Sequence, residues 1–213
     1  MPGSDVSVPS DGPRRAGYRA VPDAGSGPGV VVIQAWWGLD DQIRAVADRF
    51  ADEGFTALVP DLYRGATTTE PDEARALIMA LNVERAAKDM AGAVDDLVAS
   101  DAVTSRRVGV VGSGMGGGLA LWLATLRPDA VAAVVLSDGL LPWPAAQPDY
   151  SRLAAPVQGH AAGDDERAAA AVHALEEQLR ALGPAVEFFT DPDPDHPDPA
   201  WRRTIEFLRA HVR

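Results

Sequence analysis

The amino-acid sequence predicts an α/β fold built on a mostly parallel central sheet with helices on both faces. Short, continuous apolar runs recur along the chain, as expected of strands covered on both sides. Between them lie stretches whose apolar residues repeat at helical spacing. Two of those stretches stop at a glycine, the residue that most easily adopts the left-handed conformation closing a helix. Strands alternating with helices make parallel sheets, and their chemistry sits on the loops leaving the carboxyl ends of the strands.

In chain order the strand-like runs are Val30–Gln34, Thr56–Pro60, Val108–Val111, Val131–Leu136, Pro156–Gln158 and Val186–Thr190. Ile43, Val46, Ala47 and Phe50 share one helical face ahead of Gly54. The segment LALWLATL follows a glycine-rich turn as another helix. Val172, Leu175, Leu179 and Leu182 form a stripe ending at Gly183. Trp201, Ile205, Leu208 and Val212 form the stripe of a C-terminal helix that opens near Pro199.

A length of 213 residues, 46% of them hydrophobic, is ample for one domain with a sizeable core. Residues 1–16, MPGSDVSVPSDGPRRA, are rich in Pro, Gly and Ser and lack the apolar segment of a signal peptide. They read as a flexible tail ahead of a single domain over 17–213, and a cytoplasmic location is expected. No run approaches the ~18 apolar residues of a membrane span, so no membrane partner is expected. The formal charge is −12, with 19 basic against 31 acidic residues, and such a surface repels nucleic acid. Only one basic residue is a lysine, Lys88, which reads as compositional bias. The chain has no cysteine, which removes disulfides, thiolate metal sites and a thiol nucleophile together. The run DPDPDHPDP lacks the ligand spacing and turn glycine of a calcium loop, so it reads as a solvated acidic loop, and neither metal nor cofactor is expected.

Val108–Gly112 runs directly into Ser113-Gly114-Met115-Gly116-Gly117-Gly118 and then a helix. Two motifs fit this strand–turn–helix. Gly112-x-Gly114-x-x-Gly117 spells a dinucleotide-binding loop, although that fingerprint normally opens its fold and this turn follows the third strong strand. The alternative is a nucleophile elbow, in which glycines allow a strained turn to present the residue at its tip.

The block VVVIQAWWGLDDQIRAVADRFADEGFTALVPDLYRG over residues 30–65 resembles the dienelactone hydrolase family, as does the elbow region VGVVGSGMGGGLAL. The resemblance covers residues 17–213, loosely in the last third. It implies an α/β-hydrolase fold and a Cys-His-Asp triad acting on esters and lactones of small acids. The family's cysteine falls at Gly114, and the family's neighbouring glutamate falls at Ala35. The family's acid falls at Asp165, with Asp164 one residue away as a competitor. The family's histidine falls at His196, in a loop where the family's Tyr and Gly are replaced by Asp and where Pro197 follows. By the same analogy the oxyanion hole is made by the backbone N–H groups of Trp36 and Met115, which no side-chain loss removes.

Trp37, Tyr63, Arg64, Ser137 and Asp138 also follow strands and are candidates to line the pocket, with Ala35. Trp36 and Trp37 suit core packing and a substrate pocket equally. Ser113 is a candidate replacement nucleophile, but it is the second elbow residue, and a shifted frame meets Val111 and Met115 where glycines are required. His173, His211 and His160 read as surface, helix-terminal and structural respectively. Three functions follow for a protein whose partner is a small molecule. It acts on an ester, lactone or related carbonyl compound with a His196–Asp165 dyad as general base, by hydrolysis or by noncovalent cyclisation, elimination or isomerisation. It is a Ser113-dependent esterase. Or it is an inactive member that binds a ligand or a protein partner. Oligomeric state is not legible.

Overall fold

The computed structural model describes residues 3–8, 15–137, 148–162, 166–191 and 198–213. Eight strands are formed: β1 (Ser4–Val8), β2 (Arg15–Ala20), β3 (Gly29–Ile33), β4 (Thr56–Pro60), β5 (Val108–Ser113), β6 (Val131–Ser137), β7 (Val157–Ala162) and β8 (Val186–Asp191). They make one sheet in the order β1-β2-β4-β3-β5-β6-β7-β8. All pairs from β4 to β8 are parallel, and only β1–β2 and β2–β4 are antiparallel. The six apolar runs of the sequence are the six parallel strands.

The helices are α1 (Asp41–Asp52), α2 (Pro71–Ala80), α3 (Val83–Val98), α4 (Met115–Leu126), α5 (Glu166–Leu182) and α6 (Asp198–His211). One core cluster packs α3, α4 and α5 on one face of the sheet, and a second packs α1 and α6 on the other. Asp40 starts α1 by accepting a hydrogen bond from the Ile43 N–H at 3.0 Å, and Gly54, at φ 89°, follows its end. In α5 the stripe is buried at Val172, Leu175 and Leu179, but Leu182, the last residue of the helix, is 47% exposed. Among the described residues no helix is long and apolar enough to cross a membrane.

The first sixteen residues are not wholly a tail. Ser4–Val8 alternates polar and apolar residues, and Val8 is only 1% exposed. Contacts distant in sequence hold the strand down. The Asp48 carboxylate of α1 accepts the Gly3 N–H at 2.8 Å and the Tyr18 hydroxyl at 2.9 Å, while Asp5 pairs with Arg44. Local composition carries no trace of such anchors. Deleting residues 1–8 is therefore expected to cost about 2 kcal/mol and ~4–8 °C in Tm by thermal melting, largely through lost burial of Val8. A free tail would leave Tm unchanged.

Candidate active site

β3, β5 and β6 lie side by side, with Ile33 level with Gly112 and Ser113 level with Ser137. Their carboxyl ends therefore deliver three loops to one place. At the middle one the chain turns within a residue from β5 into α4. Gly114 sits at φ 54° and ψ −123°, a strained conformation that glycine tolerates best. Its N–H donates to the Ser137 carbonyl at 2.8 Å, and its own carbonyl accepts the Gly117 N–H at 3.1 Å. The flanking glycines are steric necessities. A Cβ on Gly112 would stand 2.2 Å from the Gly116 carbonyl oxygen, and one on Gly116 would stand 2.5 Å from that of Ile33. A Cβ on Gly114 would meet nothing within 4 Å. Residues 112–116 thus make a tight strand-to-helix turn whose tip has open space ahead and no side chain to fill it. Met115 opens α4, so its N–H has no acceptor within that helix.

The loop after β3 passes next to this turn, because the first turn of α4 packs on the Ile33 and Gln34 backbone. Gln34 is fully buried, and its Oε1 accepts the Leu62 N–H at 3.1 Å, which ties this loop to the one after β4. Its Nε2 has no hydrogen-bond partner among the described residues. Ala35, Trp36 and Trp37 follow, each half-buried, with the two indole rings 4.7 Å apart. In the loop after β4 the buried Asp61 carboxylate accepts the N–H groups of Tyr63 and Gly65. That cap holds Arg64 at φ 59° and leaves it exposed. Tyr63 turns inward and donates its hydroxyl to Met115 Sδ at 3.3 Å. Burial pushes the Tyr63 hydroxyl up to about 12, so it stays protonated at neutral pH.

Among the described residues, then, the structure brings the loops of Ala35, Trp36, Trp37, Tyr63, Arg64, Ser113, Gly114, Met115 and Ser137 to one edge of the sheet. Asp138, Asp164, Asp165 and His196 lie outside the described residues. Ser113 occupies the last position of β5, on the same side as Val111, so it faces the α1 and α6 side and not the elbow tip. His160 is buried on β7, with Nε2 3.1 Å from Gln158 Oε1 and its ring stacked on Phe189. His173 is exposed beside Glu176, and His211 packs against Phe207 in the last turn of α6. Sequence reasoning passed over Gln34 and Asp61 as brace and cap. The one signal available was a polar residue at each of two strand ends.

A family model described as "Dienelactone hydrolase family" matches residues 16–203. The chain belongs to the dienelactone hydrolase family. Its fold is the α/β-hydrolase fold, and the family is one of hydrolases. "Protein usf" of Aquifex pyrophilus is 38% identical over 144 residues, 65% of this chain and 62% of that protein. A protein of Aquifex aeolicus named "Putative carboxymethylenebutenolidase" is 31% identical over the same shares. The match thus spans less than two thirds of the length of these relatives. Among solved structures, the Klebsiella pneumoniae protein called "Putative Dienelactone Hydrolase" superposes with a TM-score of 0.86 at 23% identity over 98% of each chain. That likeness is one of fold.

For this dienelactone hydrolase family member, the elbow glycines are expected to differ sharply under substitution. Gly112→Ala drives a methyl into backbone and should cost ~3 kcal/mol or more in chemical denaturation. Gly114→Ala, with open space ahead, should cost only the backbone strain, about 1–2 kcal/mol. The raised Tyr63 value has a pH signature as well. The unfolded chain releases this proton from pH 10, the folded one only near 12, so stability falls as pH rises through that window. Tyr63→Phe should remove that part of the decline and the last step of a 295 nm absorbance titration.

Proposed function

We propose that this protein acts on a small ester, lactone or related carbonyl compound without forming an acyl-enzyme. The substrate carbonyl lies over Gly114, where the family's thiol would be, and its oxygen points at the N–H groups of Trp36 and Met115. His196, oriented by Asp165, takes a proton from water as the water oxygen attacks the carbonyl carbon. The resulting oxyanion is held by the two N–H groups. Its collapse expels the alkoxide, which takes the proton back from the imidazolium. The same base and oxyanion site also serve an elimination, isomerisation or cyclisation through an enolate.

The observation that carries the reading is the Gly114 elbow. The strained turn, its crowded glycine flanks and the open helix terminus are all present, but the tip is a glycine and the 213 residues contain no cysteine. General-base assistance and oxyanion stabilisation are each worth about 10²–10⁴ in rate, so turnover does not require a nucleophilic side chain. The same empty tip also fits a ligand-binding member without turnover. That reading predicts that Gly114→Cys with Ala35→Glu gains esterase activity absent from the wild type.

The test is hydrolysis of dihydrocoumarin and 4-nitrophenyl acetate by the wild type, His196→Ala and Asp165→Asn. His196→Ala is expected to lower kcat/KM by ~10²-fold or more. Absence of turnover on both compounds, or turnover indifferent to His196, overturns the proposal.

A further inference from the structure

In a parallel sheet covered by helices, the central strands are buried on both faces. β5 breaks this rule at its carboxyl end, because Val111 is half-buried and Ser113 exposed on the α1 and α6 side. The helices of that face touch where Phe50 packs on Trp201 with ring centroids 4.7 Å apart. Both rings line a groove of about 210 Å³ over the ends of β3, β5 and β6. Val46, Val111, Val135 and Trp201 form its apolar walls and floor, and Ser113 and Ser137 put two hydroxyls at its upper end. Ser113 is the residue before Gly114, so the upper end of the groove is one residue along the chain from the tip of the turn.

We infer that this groove is a second binding site, joined to the elbow, for a flat, uncharged ring. The inference rests on the proposed function only in taking the ring to be the non-reacting part of the substrate. Volume sets the size, since a cavity of about 150 Å³ lined by aliphatic and aromatic side chains holds benzene. A groove of 210 Å³ accommodates a six-membered ring and a small substituent. Chemistry sets the polarity. Apolar side chains dominate the lining, and the two serine hydroxyls offer a hydrogen bond to a ring substituent without supplying charge. Among the described lining residues the one cation, Arg49, has its guanidinium over the Trp201 ring at 4.2 Å. A net charge of −12 opposes the approach of an anion. A neutral aryl ester fits both conditions, with its carbonyl at the elbow and its ring in the groove. An aromatic carboxylate fits only the first.

Acetophenone, an uncharged aryl carbonyl compound with no leaving group, probes the site without turnover, and benzoate is its anionic counterpart. Amide chemical shifts of the full chain titrated with acetophenone are expected to move at Val111, Ser113, Ser137 and Thr204, and at Met115. Benzoate is expected to bind about tenfold more weakly or worse. Ser113→Phe and Val46→Trp, which fill the groove, should each weaken acetophenone about tenfold or more, with melting curves confirming that both are folded. Shifts confined to other surfaces, benzoate binding as tightly as acetophenone, or folded variants with unchanged affinity overturn the inference. Acetophenone in the groove of a protein that turns over no ester leaves the groove standing and removes the catalytic reading. Turnover with no groove shifts does the reverse.

Discussion

The close approach of backbone to backbone at Gly112 and Gly116 is the constraint on which the carboxyl edge of this sheet depends. With no Cβ at either position, α4 seats its first turn against the Ile33 and Gln34 carbonyls, closer than any other residue pair permits. That contact aims the start of α4 at the top of the sheet and brings the loop after β3 beside the turn. It also makes the tip conformation of Gly114 a consequence of its neighbours. The elbow therefore persists as a piece of packing whether or not its tip carries a reactive group.

Two buried polar side chains extend that rigidity outward. Gln34 spans from β3 to the Leu62 N–H, and Asp61 closes the next three residues into a tight loop. Together they tie the loops of Trp36 and Tyr63 to each other, and Tyr63 reaches back to Met115. Buried groups held this way are costly to disturb, because each partner would be left unsatisfied away from water. The turn is thus held rigid around a glycine tip with open space ahead of it.

The parallel part of the fold was legible because strands buried on both faces write themselves as unbroken apolar runs, and Val30–Gln34 or Val131–Leu136 admit few other readings. β1 and β2 escaped for the opposite reason. β1 is an edge strand and β2 its antiparallel neighbour, both in a Pro-, Gly- and Ser-rich context, and Asp48 and Arg44, which hold them, come from α1. α2 and α3 went unremarked although Pro71 in the first turn of one and the Asn82 cap of the other marked their starts. At the candidate site, the tight strand-to-helix turn was readable from glycine spacing. The Gln34 brace, the Arg64 conformation and the groove between α1 and α6 were not, since each arises from elements that meet only after folding.

The chemistry proposed at this turn is noncovalent, and intact-protein mass spectrometry on samples quenched during turnover of 4-nitrophenyl acetate distinguishes it from an acyl-enzyme route. Nitrophenol should be released while the protein mass stays that of the unmodified chain at every time point. An acetylated species that forms and decays at the turnover rate, above all one mapping to Ser113, would contradict it.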